Sequence, residues 1–329
     1  MIKFLQIPEK ERKVIYQDVS NKLGVPPQAV EKDVWVTLIL RVIFSSVHAD
    51  RFIFKGGTSL SKAYNLIQRF SEDVDLGIDR THLGFDGELS KGEIRRLRRA
   101  CHSYVADELP GVLSKRLTEY GIDPKWYDLV VENKTISDQD PEILQVNFNS
   151  LFDTVPYLAN NIKIEVSARS LIEPHQRVQI DSWIDQQYSD SAFVEGAFEV
   201  TATDPKKTLL EKLILLHEEY QKDPEKIRYI RMSRHYYDID QLFNSEFGAS
   251  ALEDKELFES IIAHRSALTP MPNTNYEGLS VESLCIEPPK EFFEDFVLDY
   301  KEMQNSMIHG RTKDFKVLLK DITKVLKAY

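Results

Sequence analysis

The chain has 329 residues, 42% of them hydrophobic and 29% charged, which is enough for a sizeable buried core and compatible with two or three domains. A net charge of −11 argues against a protein that coats nucleic acid through a general basic field and leaves only local basic patches for that purpose. Two cysteines, Cys101 and Cys285, make no disulfide framework, the N-terminus carries no apolar leader, and the run Val34 to Phe44 is interrupted by Arg41 and too short for a bilayer; a cytoplasmic chain with no membrane span is expected.

In chain order, residues 9–23 predict a helix stopped by Gly24, and Pro26 and Pro27 open a second that runs to about Ser46, with Val34, Leu38 and Val42 at helical spacing. FIFKGG (52–57) predicts a short buried strand ending in two glycines, residues 59–70 a helix, and VDLGI another strand. Residues 90–119 predict a long helix with a break at Pro110. A β-rich stretch follows, with strands in 126–133, 143–152, 161–169 and 198–202. After Pro205 the chain turns helical, first in PKKTLLEKLILLHEEY, then around RHYYDIDQLF, then in several helices to the end. The fold class expected is α+β: a mixed or antiparallel sheet with N-terminal helices, followed by a C-terminal helical bundle, divided as 1–203 and 204–329.

The segment that carries chemistry is FKGGTSLSKAYNLIQRFSEDVDLGI. Strand side chains alternate faces, so Asp73 and Asp75 share one side while Val74, Leu76 and Ile78 share the other. Two carboxylates so placed repel, and a hard divalent cation such as magnesium removes the repulsion. An ordinary acidic turn before an edge strand is the plainer alternative. In NIKIEVSAR the same alternation puts Glu165 on the face opposite Ile162, Ile164 and Val166, where it serves either as a third ligand or as a general base if its strand lies beside Asp75.

Gly56 and Gly57 lead into a helix whose free N–H groups suit a phosphate, with Thr58 or Ser59 as phosphate contact or as N-cap. The turn is neither a P-loop nor a dinucleotide fingerprint. Lys212 lies inside an apolar helical run and needs a partner: a triphosphate, or an ion pair with Glu211 or Asp238. Asp238 stands one turn after Arg234, either as a surface pair or as the group that orients Lys212 and Arg234. His217, His235, Trp35, Trp126 and Trp183 read as structural. Two basic runs stand out, Arg95, Arg96, Arg98 and Arg99 on one helix, and the tail from Arg311 to Lys327.

The segments 31–44, 54–64, 69–78, 162–166, 208–217 and 234–242, taken together and in this order, resemble the AbiEii/AbiGii-type nucleotidyltransferase toxins of abortive-infection and toxin–antitoxin systems. The resemblance implies a nucleotidyltransferase-like core in which Asp73 and Asp75 hold the metal with Glu165 as third carboxylate, and in which Gly57, Thr58 and Ser59 line the triphosphate. Gly56, Lys62 and Ser71, within the same motifs, join the candidate nucleotide contacts, and Lys212 and Asp238 match the family's later lysine and aspartate. The helix before Asp73 is about a turn longer than in many nucleotidyltransferases. The implied cofactor is Mg2+, with Mn2+ as a substitute; the implied partners are an NTP, an antitoxin encoded alongside, and a tRNA 3′ end as acceptor, for a phage-defence toxin that blocks translation. A protein or small-molecule acceptor is the rival reaction, and an NTP-binding module without catalysis is the rival of another kind.

Overall fold

The computed structural model describes residues 1–153 and 159–329. Its contacts divide the chain into two compact units, Met1–Ala63 with Phe70–Ala202, and Tyr64–Arg69 with Thr203–Tyr329.

Unit 1 opens with helices α1 (Ile2–Leu5), α2 (Glu9–Leu23) and α3 (Pro27–Phe44). Gly24 ends α2 in the left-handed region at φ 67°, a conformation glycine adopts without a side-chain clash. Strand β1 (Phe52–Lys55) runs straight into the short helix α4 (Gly56–Lys62), and β2 (Val74–Ile78) follows. Helices α5 (Lys91–Ser103) and α6 (Leu109–Glu119) are separated by one π-helical turn over Tyr104–Glu108, with Pro110 at the start of α6, where a missing N–H costs nothing. Then come β3 (Tyr127–Val131), β4 (Glu142–Phe148), β5 (Asn161–Ser167), β6 (His175–Ile180), the short helix α7 (Trp183–Gln187) and β7 (Phe198–Thr203).

The strands form one mixed sheet in the order β3-β4-β5-β2-β1-β7-β6. The β2–β5 and β1–β7 pairs are parallel, and β1–β2, β3–β4 and β4–β5 are antiparallel. One face is apolar: Phe54, Val74, Leu76, Ile78, Leu144, Val146, Ile162, Ile164 and Val166 are all fully buried. Aromatic rings from the helices reach this face, Trp35 stacking on Phe148 at 5.2 Å and Tyr104 meeting Phe52 at 6.0 Å. The other face carries the polar alternates.

Two sequence expectations change here. The helix expected over 59–70 starts earlier and stops at Lys62, and Asn65 lies in the left-handed region at φ 52°, which no helix continues through. Strand β6 and helix α7 are additions, because half of the β6 residues HQRVQI are exposed and the segment shows no apolar alternation.

Unit 2 is built from α8 (Pro205–Tyr220), α9 (Ser233–Phe243), α10 (Phe247–Leu252), α11 (Lys255–Leu268), α12 (Phe293–Ser306) and α13 (Phe315–Leu326). An aromatic cluster of Tyr236, Phe296, Tyr300 and Phe315 fills its centre. The segment Tyr64–Arg69 is stitched in by backbone: the Gln68 N–H donates to the Tyr237 hydroxyl at 3.1 Å, and the His309 N–H donates to the Gln68 carbonyl at 3.1 Å. Among the described residues no helix is long and apolar enough to cross a membrane.

Candidate functional site

The register of the sheet brings charged residues of three strands into one row. Asp75 pairs with Glu165 across the parallel β2–β5 ladder and with Lys55 across the antiparallel β1–β2 ladder. Residues directly opposite on neighbouring strands point to the same face. Lys55, Asp75 and Glu165 therefore line up on the polar side of the sheet, each partly exposed while the strand residues between them are buried. Asp73 lies one residue ahead of β2, on the same side and partly exposed. The adjacency of the Asp75 and Glu165 strands, conditional in the sequence, is thus present.

The glycine turn sits against this row. Gly56 has φ 77°, and a Cβ built on it would overlap the Asp75 carboxylate, lying 2.7 Å from its Cγ. Glycine here does two jobs: it takes a backbone conformation that residues with a side chain rarely adopt, and it leaves the Asp75 carboxylate its space. Neither Thr58 nor Ser59 is the N-cap, since α4 begins at Gly56 with Lys55 as its cap. Both hydroxyls are buried and engaged inside the fold. Thr58 Oγ1 donates to the Asp73 carbonyl at 2.5 Å and lies 3.0 Å from the Ser71 hydroxyl, while Ser59 Oγ donates to the Gly56 carbonyl at 3.0 Å. Thr58 and Ser71 thereby fix the backbone that presents Asp73.

Two buried charges on α3 brace the same region. Lys62 ends in a 2.5 Å ion pair with Asp33, whose other oxygen accepts the Trp183 N–H at 2.9 Å. Burial raises the Asp33 carboxyl above its ordinary pKa, and Lys62 opposes that shift. Lys32 pairs with Glu72 at 2.5 Å and donates to the Ala159 carbonyl at 2.9 Å. The ammonium of Lys62 is thus held by a buried carboxylate on its own unit. Sequence reasoning assigned no role to Lys32, Asp33 or Lys55. The signals were available: a Glu-Lys-Asp run inside an otherwise apolar helix, and a lysine on the polar alternate of FIFK.

The donor set along the row is what a hard dication takes, namely carboxylate oxygens. Among the described residues, no three His, Cys, Asp or Glu side chains are grouped so as to hold a metal ion. Asp75 faces Glu165 across the β2–β5 ladder, and Asp73 stands two residues before Asp75 on the same side. Magnesium is commonly held by one or two carboxylates, with water and substrate phosphates completing its shell, so a two-carboxylate site fits the residues present.

Lys212 and Asp238 belong to unit 2, whereas the carboxylate row belongs to unit 1. Asp238 is fully buried and accepts from Arg69 twice, Nε to Oδ1 at 2.7 Å and Nη2 to Oδ2 at 2.8 Å, and from Lys212 Nζ at 2.9 Å. Burial alone would raise the Asp238 pKa, but the two cations outweigh it and hold the carboxyl below the usual range. Burial pulls Lys212 below the ordinary lysine value, and Asp238 opposes it. The pairing of Lys212 with Asp238 is thus present, while the reading of Asp238 as a surface partner of Arg234 gives way to a buried one with Arg69. Arg69 was legible only as a member of the RFSEDVDL motif. His217 and His235 are both buried, the Nδ1 of His217 accepting the Cys285 N–H at 2.9 Å.

The family model described as "Nucleotidyl transferase AbiEii toxin, Type IV TA system" matches residues 38–321 of the chain. No curated protein matches it. Among solved structures, the nucleotidyltransferase toxin MenT4 from Mycobacterium tuberculosis H37Rv is 15% identical, with 95% of this chain and 98% of that chain covered and a TM-score of 0.49. A candidate nucleotidyltransferase from H. pylori is 14% identical over 92% of this chain and 98% of its own, with a TM-score of 0.40. The protein JHP933 from Helicobacter pylori is 14% identical over 91% and 92%, with a TM-score of 0.36.

Proposed function

The chain belongs to the AbiEii family of nucleotidyltransferase toxins of type IV toxin–antitoxin systems, and from that premise we propose that it transfers a nucleoside monophosphate from an NTP to an acceptor hydroxyl at the strip made by Asp73, Asp75 and Glu165. The observation that carries this reading is the Asp75–Glu165 register across β2 and β5, with Gly56 bare beside Asp75.

In the reaction an acceptor oxygen attacks the α-phosphorus, the bond to the bridging oxygen breaks, and pyrophosphate leaves. Asp73 and Asp75 are the residues that would hold magnesium, or manganese in its place. When bound, such an ion neutralises charge on the phosphate oxygens and aligns the attack. Glu165 stands one strand away and takes the proton from the attacking hydroxyl. Gly56 and Gly57 let the triphosphate approach the backbone, with Thr58, Ser59 and Ser71 acting through the hydrogen bonds that shape the turn. Lys55, opposite Asp75, adds a positive charge to the row. Lys212, paired with Asp238 beside Arg69, is proposed as a phosphate-binding group of unit 2.

The proposed acceptor is a tRNA 3′ end, and a cognate antitoxin encoded alongside is the proposed partner. Incubating the protein with total tRNA, Mg2+ and each α-labelled NTP in turn tests the proposal, with the Asp73→Ala/Asp75→Ala protein run in parallel. Label in RNA with one nucleotide, absent with the variant, is the expected outcome. Label that migrates with a protein band instead would refute the RNA acceptor and keep the site. No transfer to any acceptor would refute the reaction assigned to this strip.

A further inference from the structure

Helix α13 is two-sided. Phe315, Leu318, Ile322 and Leu326 are buried along one stripe, while Lys316, Lys320, Lys324 and Lys327 are exposed along another. These four lysines line an open groove of about 620 Å³ whose wall also includes Phe293 and whose one acidic lining residue is Glu287. Lysines three or four apart on a helix stand about 6 Å from their neighbours, so the array is a straight row of positive charges roughly 16 Å long.

Such a row is costly to its own fold, because like charges one turn apart repel, and it is out of character for a chain of net charge −11. Among the described residues only Lys316 of the four has a carboxylate within ion-pair reach, Glu294 at 3.8 Å. The neighbouring Asp321 is drawn to Lys313 at 2.8 Å. The other basic run is different: Arg95 and Arg98 both pair with Asp138, at 3.3 and 2.7 Å, and Arg96 lies 3.5 Å from Glu93. Three of the four arginines thus have a carboxylate partner among the described residues, against one of the four lysines.

We propose that the α13 groove docks the phosphate backbone of an RNA acceptor. The inference rests on the proposed reading that the acceptor is RNA, and it names the surface that holds the backbone. Compact ammonium groups on flexible stems suit a run of phosphates, and they act as point charges without reading sequence. A regular row along one apolar wall fits a regularly charged backbone better than it fits an acidic protein segment, whose charges are irregularly spaced.

The test is binding of fluorescent total tRNA, followed by anisotropy between about 50 and 200 mM salt. The wild-type protein is compared with Lys320→Ala/Lys324→Ala/Lys327→Ala, three exposed positions whose truncation leaves the buried stripe intact. Loss of three phosphate contacts lowers the slope of log K against log salt by about 2 to 3 and weakens binding on the order of a hundredfold near 0.1 M salt. Arg95→Ala/Arg96→Ala changes the slope by less than about 1. A wild-type slope in the triple variant would overturn the groove while leaving the RNA acceptor standing. Failure of the wild type to bind tRNA would overturn both. Displacement of the RNA by polyglutamate at equal charge concentration would overturn the assignment in favour of an acidic protein segment.

Discussion

Replacing Asp238 by asparagine probes how unit 2 is held together. The side chain keeps its size and loses its charge, leaving Arg69 and Lys212 buried without their carboxylate. The native site has three short contacts, at 2.7, 2.8 and 2.9 Å, around a group with no solvent exposure. Removing one partner of such a cluster costs about 3–5 kcal/mol, most of it the penalty of the uncompensated charges left behind. For a unit of this size that loss lowers the melting temperature on the order of 10 °C. Lys212→Met is milder, because the bidentate Arg69–Asp238 pair survives it. The double variant Asp238→Asn/Lys212→Met is less destabilised than the sum of the two single changes, because it removes one of the stranded charges. Thermal unfolding followed by circular dichroism, at fixed pH and salt, measures all three. A melting temperature for Asp238→Asn within about 1 °C of wild type would refute the argument that this ion cluster anchors Tyr64–Arg69 to α8 and α9.

Three further outcomes follow from the same reasoning. Gly56→Ala places a methyl group against the Asp75 carboxylate at φ 77°; transfer should fall on the order of a hundredfold while the melting temperature changes by only a few degrees, and a variant with full activity would remove Gly56 from the site. Lys62→Met strands the buried Asp33, so it should cost about 3 kcal/mol or more of stability; a stable protein with only a raised KM for NTP would instead favour direct nucleotide contact by Lys62. Burial, with Lys212 and Arg234 nearby, depresses the pKa of His235, and burial depresses that of His217. The unfolded chain therefore binds these protons first as pH falls below about 6.5, so stability is complete above that pH and declines below it by up to about 1.4 kcal/mol per pH unit for each group. Melting curves from pH 8 to 5 should show the decline, and His235→Phe should flatten it; an unchanged slope would contradict the assignment.

The sheet core was legible where its strands bury one face, as β4 and most of β5 do. VDLGI and NIKIEVS alternate cleanly, and the alternation alone put Asp75 and Glu165 on the polar sides of their strands. Their pairing was not legible, since nothing local in either strand says that β5 is the neighbour of β2. β6 escaped because an exposed edge needs no apolar pattern. The short α4 escaped because NLIQRF reads as helical by composition, whereas the backbone at Asn65 turns out of the helix. At the site, the residues missed are those whose role depends on partners far away in sequence: Asp33 holding Lys62, Lys32 holding Glu72, and Arg69 holding Asp238. Thr58 and Ser59, read as the opening of the helix, lie inside α4, which begins at Gly56, and their hydroxyls bond to the Asp73 and Gly56 carbonyls.

The most direct measurement is the initial rate of nucleotide transfer by Asp75→Asn, with circular dichroism and melting temperature recorded on the same preparation. The change keeps the side chain's size beside Gly56 and removes the charge that faces Glu165. A folded protein whose rate has fallen on the order of a thousandfold or more is the result predicted for a reaction centred on this strip. A folded protein transferring within a few-fold of the wild-type rate would contradict it.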